Sequence, residues 1–192
     1  MDPAEKVSEE DQQDIADSLA GNGEGFARLV RRYQDKVAAQ MWRFTRDAVA
    51  LDQLVQDVFV EAYLSLKGFR GRAPFLHWLR RIATRVGFHY WKSQARIGER
   101  EEALKETNLN LAAAPEALTP SEAAAMLYQL FGKLPAADRL VLTLFYFEDC
   151  DVKEIAARSG WNRALVKVRL HRARKKLRSL LEEAGMGRKQ DG

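Results

Sequence analysis

Apolar residues recur every three or four positions along almost the whole chain, and no long run alternates apolar with polar residues. That period belongs to helices packed on one side, not to strands. Leu51, Leu54, Val55, Val58, Phe59, Ala62 and Leu66 give the clearest stripe, and Phe26, Leu29, Val30, Tyr33 and Val37 give another. A further set, Leu76, Leu79, Ile82, Ala83 and Val86, follows a short loop over Phe69 to Pro74. Only five prolines interrupt 192 residues. The expected fold class is therefore all-α.

The helical signal falls into two blocks, residues 12–96 and 121–184. Residues 97–120 hold Gly98, Asn108, Asn110, Pro115 and Pro120, and few large apolar side chains. This stretch reads as a flexible linker with little fixed structure. Lys67-Gly68 is expected to end the strongest helix, with glycine relieving the backbone there. Gly21 to Gly25 lacks the strand context and lysine of a phosphate-binding loop and reads as a flexible helix junction.

Charge is unevenly distributed. Asp2, Glu5, Glu9, Glu10, Asp11, Asp14 and Asp17 make the start acidic. The stretches 70–96 and 163–178 are rich in arginine and lysine and contain no acid. Ordinary solvated faces mix signs, so two acid-free cationic blocks point to two contacts with a polyanion. Cys150 is the single cysteine, which excludes an intramolecular disulfide and fits a reducing, cytoplasmic setting. No apolar run approaches the length of a membrane span, and the acidic start lacks the apolar segment of a signal peptide. His77, His89 and His171 have no cysteine or carboxylate at ligand spacing, so no metal site, catalytic set or cofactor is expected.

The second block carries a local pattern with a mechanism. Pro135 suits a first helical turn, and Ala137, Leu140, Val141, Leu144 and Phe145 form its buried stripe. Glu148-Asp149-Cys150 turns the chain. Asp151 and Glu154 have capping-box spacing, Ile155 and Ala156 point inward, Gly160 ends the short helix, and Asn162 caps a longer one. This is a helix-turn-helix. In the longer helix Leu165, Val166, Leu170, Ala173 and Leu177 form the apolar seam, while Arg163, Lys167, His171, Arg174 and Arg178 step around another face. Such a helix can pack on its own domain and lie in the major groove.

The run Leu134-Pro135, Arg139, Val141-Leu142, Glu154-Ile155-Ala156, Gly160, Val166-Lys167, Arg169-Leu170 and Arg172-Ala173-Arg174 resembles region 4 of the sigma-70 family of RNA polymerase sigma factors. Independently, Phe26 to Tyr33, Asp52 to Phe59, and Trp78-Leu79 with Ile82-Ala83 resemble region 2 of the same family. With no region 1 and no folded region 3, the resemblance is to the two-domain, extracytoplasmic-function (ECF) subfamily. It implies a DNA-binding adaptor, not an enzyme. Its implied partners are the polymerase core, promoter DNA and an anti-sigma factor, often membrane-anchored. It further implies a monomer when free, with no direct membrane insertion.

Residue by residue, the resemblance assigns Asp52, Gln56 and Asp57 to core docking. It assigns Phe69, Arg70, Gly71, Arg72, Trp78, Arg81, Arg85, His89, Tyr90, Trp91 and Lys92 to the −10 element. Opened promoter bases stack on aromatics while cations hold the backbone, and Tyr90 and Trp91 are the expected stacking residues. Phe75, Trp78 and Phe88 are expected to be at least partly core. Asn162, Arg163, Lys167, Val168, Arg169, His171, Arg172 and Arg174 are assigned to the −35 element. Arg85 stands where the family often has asparagine, His89 where it often has aspartate, and Trp161 where a smaller apolar residue is common. A stand-alone helix-turn-helix regulator would need an effector or dimerisation domain, which the first block does not resemble. An RNA-gripping enzyme would need an active-site cluster, and the sequence offers none.

Overall fold

In the computed structural model the described residues are 7–102 and 120–185, with side chains described over 7–97 and 126–185. They form α1 (Glu9–Leu19), α2 (Gly23–Met41), α3 (Ala48–Ser65), α4 (Phe75–Glu102), α5 (Pro120–Gly132), α6 (Ala136–Tyr146), α7 (Val152–Ser159) and α8 (Arg163–Glu183). The chain divides into two compact units, with the main boundary at Trp91–Lys92. Helix α4 continues past that point, and residues 92–97 are all exposed. Residues 97–102, expected as the start of a loose linker, thus extend α4; the rest of that linker through 119, and the tail after Gly185, lie outside the described residues.

The first unit is organised by the apolar stripes. Leu29, Tyr33 and Val37 of α2, Leu54, Val58, Phe59 and Ala62 of α3, and Phe75, Leu79, Ile82 and Ala83 of α4 are buried together with Met41, Phe44 and Leu66. Fully burying a leucine or phenylalanine contributes about 1.5–3 kcal/mol, so these side chains dominate over any surface ion pair. Helix α3 stops at Ser65 and passes into a 3-10 turn, Leu66–Gly68. The left-handed residue lies later, at Gly71 (φ 63°), not at Gly68 as expected from the sequence.

The acidic start folds as α1, capped by Ser8, whose Oγ accepts from the Asp11 N–H. It packs on α2 through a charge network. Arg32 donates to Asp11 at 2.6 Å and to Asp14 at 2.7 Å, Arg28 to Asp14 and Asp17 at 2.6 Å each, and the Tyr33 hydroxyl to Asp11 at 2.7 Å. The Asp11 and Asp14 side chains are only 3% and 6% exposed, so these charges depend on their partners. Burial pushes the Asp14 carboxyl up, but the hydrogen bonds and charges of Arg28 and Arg32 outweigh it and hold the group below its ordinary value. Burial, followed by the bond to Asp11, pushes the Tyr33 hydroxyl up.

A carboxyl with a lowered folded pKa stabilises at pH above its unfolded value, about 3.9, and loses that contribution as pH falls through the folded one. Asp14→Asn is therefore expected to lower stability by about 1–3 kcal/mol near neutrality. In denaturation curves recorded at several pH values, the gap to the parent should shrink below about pH 4. A gap that stays constant down to pH 2 would exclude an ionised Asp14 as the source.

The Gly21–Gly25 junction is not loose. Asn22 caps α2, and Gly25 is buried in its first turn, where α1 passes close. A Cβ at Gly25 would lie 2.5 Å from the Asp14 carbonyl oxygen and 2.8 Å from the Ser18 nitrogen.

The second unit is built on α6 and α8, with Leu140, Val141, Leu142 and Leu144 packed with Leu130, Phe131, Leu134, Ile155, Val166, Leu170 and Ala173. The capping box at Asp151 and Glu154 is complete. Gly160 ends α7 at φ 77°, a conformation that costs glycine nothing. Asn162 then caps α8 through the Leu165 N–H at 2.8 Å. Asp149 takes a positive φ of 49° in the turn before α7.

Candidate nucleic-acid interface

Two cationic faces and one acidic face emerge from these helices. On α4, His77, Arg81, Arg85 and His89 recur every fourth residue, and Lys92 and Arg96 continue the row; all are exposed. They lie opposite Leu79, Ile82 and Ala83, which are buried. Residues four apart share a helix face, so packing one side of α4 sets this row toward solvent. His77 and Arg96 join the predicted set through that same spacing.

Arg85 meets Glu61 of α3 at 2.5 Å, with side chains 54% and 42% exposed. An exposed pair of this kind contributes about 0–1 kcal/mol, so it ties Arg85 only weakly.

The loop before α4 presents Arg70, Gly71 and Arg72 to solvent. Phe69 is half-buried against Phe75 at 5.6 Å and Trp78 at 5.2 Å, and Trp78 also stacks near Phe75 at 5.4 Å. Phe75 is fully buried, while Trp78 and Phe88 are half-buried, as expected of partly core aromatics. Phe69 and Trp78 thus form the rim of the core, each with one side outward.

Trp91, expected from the sequence to stack on bases, is a core residue. It is only 4% exposed, its ring lies 4.4 Å from that of Phe44, and its Nε1–H donates to the Phe44 carbonyl at 2.7 Å. A buried indole finds a partner for its single donor, and that bond fixes it as core; it has no free face for a base. Tyr90 is half-buried, with its hydroxyl 3.4 Å from Thr45 Oγ1.

On α3 the exposed face carries Asp52, Gln56 and Asp57. Gln53 donates to Asp57 at 2.8 Å and so fixes that carboxylate. Beyond them, at spacings of three and four, Val60 is 58% exposed and Leu64 is 75% exposed. Gln53, Val60 and Leu64 are additions from the structure. Both Val60 and Leu64 lie off the buried stripe of Leu54, Val58, Phe59 and Ala62, so the helical period already turns them outward.

On α8, Arg163, Lys167, Val168, His171 and Arg172 are exposed, as is Asn162 at the cap. Leu165, expected in the seam, is 36% exposed, whereas Val166, Leu170 and Ala173 are buried. Leu165 and Val166 are adjacent, so they point about 100° apart and only one can face inward.

Arg169 is also placed differently from its neighbours. Its guanidinium lies 4.7 Å over the Trp161 ring and 3.8 Å from the buried Asp138, which also accepts from Lys176 at 2.8 Å. Trp161 thus serves as a platform for Arg169, which ties the turn to α6 instead of standing free. Arg174 donates to the Tyr146 hydroxyl at 3.0 Å and lies over the rings of Phe145 and Tyr146.

Among the described residues no helix is long and apolar enough to cross a membrane, and no group of three His, Cys, Asp or Glu side chains could hold a metal ion.

Comparison with known proteins matches residues 29–97 to sigma-70 region 2 and residues 124–177 to sigma-70 region 4. The chain is 31% identical over 196 residues to the RNA polymerase sigma-H factor of Pseudomonas aeruginosa, covering 93% of this chain and 99% of that one. It is 32% identical over 163 residues to the ECF RNA polymerase sigma-E factor of Escherichia coli, covering 80% and 85%. Among solved structures it is similar to CnrH in complex with the cytosolic domain of CnrY, with a TM-score of 0.59, 27% identity, and coverage of 91% of this chain and 99% of that one. The sigma factor RpoE of Bartonella quintana, solved with the anti-sigma factor NepR, has a similar fold at 18% identity and a TM-score of 0.56, covering 82% and 96%.

Proposed function

The chain belongs to the sigma-70 family of RNA polymerase sigma factors, in its extracytoplasmic-function subgroup, and from that premise we propose how its faces divide the work of starting transcription. The protein is a sigma factor: it binds the polymerase core and directs promoter-specific initiation. The observation that carries the division of labour is the presence of two cationic faces, on the acid-free stretches of α4 and α8, and of a separate acidic and apolar face on α3.

The α3 face docks on the core. Asp52, Gln56 and Asp57 supply acceptors for arginines, and carboxylate–guanidinium bonds are among the stronger and more directional contacts available. Val60 and Leu64 add apolar area beside them.

The α4 face and the preceding loop take the −10 element. Arg70, Arg72, Arg81, Arg85, His89 and Lys92 hold the backbone, while Phe69, Trp78 and Tyr90 offer ring faces to unpaired bases. The bend at Gly71 leaves room for an extruded base. Trp91 supports this surface from within. The α8 face takes the −35 element, with Arg163, Lys167, Val168, His171 and Arg172 over the bases and Asn162 and Arg174 near phosphates. Arg169 positions the helix. Polymerase performs the chemistry, and this chain supplies recognition and strand separation without catalytic residues or a cofactor.

An anti-sigma factor, membrane-anchored, restrains the protein in the cytoplasm by covering the α3 face. That such a chain takes a protein partner is supported by CnrH, solved in complex with the cytosolic domain of CnrY, and the choice of the α3 face by its exposed carboxylates and apolar side chains. The free protein is a monomer.

Transcription in vitro with purified polymerase core on a genomic promoter library tests the reading. Specific transcripts are expected only when the protein is added. Asp57→Arg should weaken core binding at least about tenfold, because like charges then meet across the contact, and should leave the melting temperature unchanged. The absence of both transcripts and core binding from the parent protein would overturn the reading.

A further inference from the structure

Helix α8 holds two exposed large apolar side chains in its first two turns, Leu165 at 36% and Val168 at 46% exposure. Their surroundings make them unusual. Ala164, Val168, His171 and Lys175 follow one another at spacings of four, three and four, so they form a single column. That column lies opposite the buried Val166, Leu170 and Ala173, and is the part of the helix farthest from its own domain. Lys167 borders it on one side, and Leu165 and Arg172 on the other. The stretch 163–178 contains no acid. A highly cationic helix thus presents an apolar tip, formed by Ala164, Val168 and Leu165, at the turns that come closest to base edges when such a helix lies in the groove.

The major groove offers one apolar group for such a tip, the C5-methyl of thymine. We propose that Val168 and Leu165 recognise thymine methyl groups, so that the upstream promoter element of this protein contains thymine at one or two positions flanked by base pairs and phosphates that Lys167 and Arg172 contact. The inference rests on the assignment of α8 to the −35 element and specifies what that helix reads. Cations alone would favour guanine edges and phosphates, and would leave the apolar tip against water or against unmatched polar base atoms. A methyl in contact with Val168 or Leu165 removes apolar surface from water on both sides.

Replacing thymine by uracil removes only the methyl and leaves pairing and every hydrogen-bonding group intact. The holoenzyme, made from full-length protein and polymerase core, is first used to select its promoters. Each upstream thymine is then replaced singly by uracil and binding is measured by gel shift. Uracil is expected to weaken binding about three- to tenfold at one or two positions. Val168→Ser or Leu165→Ser should each abolish the uracil penalty at its own position, and a thermal melt should show the variant still folded, since both side chains are partly exposed and neither belongs to the buried seam. Full tolerance of uracil at every position, or a selected upstream element without thymine, overturns the inference while the sigma assignment stands. A failure to select any promoter overturns both and is recognised by the lack of transcripts.

Discussion

Gly25→Ala is expected to destabilise the first helical unit by about 3 kcal/mol or more, at the upper end for overpacked sites. The added methyl would meet the Asp14 carbonyl oxygen at 2.5 Å and the Ser18 nitrogen at 2.8 Å. Both are helix backbone, so no side chain can swing away; α1 must lift as a body. Lifting it stretches the bonds from Arg28 and Arg32 to Asp11, Asp14 and Asp17, which the buried carboxylates need. For a unit of this size the melting temperature should fall by roughly 12–24 °C. Gly23→Ala is the control. It lies two residues earlier, and its Cβ would meet nothing within 4 Å, so a neutral or slightly stabilising effect is expected. Thermal melts followed by circular dichroism separate the two. Equal melting temperatures for both variants would refute the close approach of α1 and α2.

Arg172→Ala is expected to weaken binding to the upstream promoter element by about 10- to 100-fold, the loss of one well-placed contact from arginine to a base pair. Stability should be unchanged, because Arg172 is exposed on α8. Arg169→Ala provides the contrast. Arg169 lies over Trp161 and beside the buried Asp138, so its removal should lower both the melting temperature and DNA affinity. Gel shifts on a selected promoter, paired with thermal melts, distinguish a residue that touches DNA from one that holds the helix in place. If Arg169→Ala lost affinity with an unchanged melting temperature, Arg169 would be a direct contact instead.

Much of the architecture was legible because local rules specify it. A period of three to four gives helices wherever it appears. Asp151, Glu154, Gly160 and Asn162 define the helix-turn-helix through capping and turn chemistry that operates within a few residues. The cationic rows were legible too, since charge and spacing can be counted along a chain. Other residues deceive at this level. Trp91 beside Lys92 has the appearance of a stacking aromatic, yet Phe44, nearly fifty positions away, supplies both its packing and its hydrogen-bond acceptor. The acids of α1 look like a solvated segment, but their partners stand 11 to 22 residues later on α2.

The sequence by itself therefore determined the helical class, the two-unit organisation of its motifs, the caps and turns, and which stretches concentrate positive charge. Tertiary structure decided which member of an ambiguous pair faces outward. It turned Leu165 out while Val166 is buried, buried Trp91, and set Arg169 on Trp161. The physical reason is range. Helix formation, capping and charge density depend on residues within a turn or two, whereas burial and pairing depend on which surface another helix happens to cover.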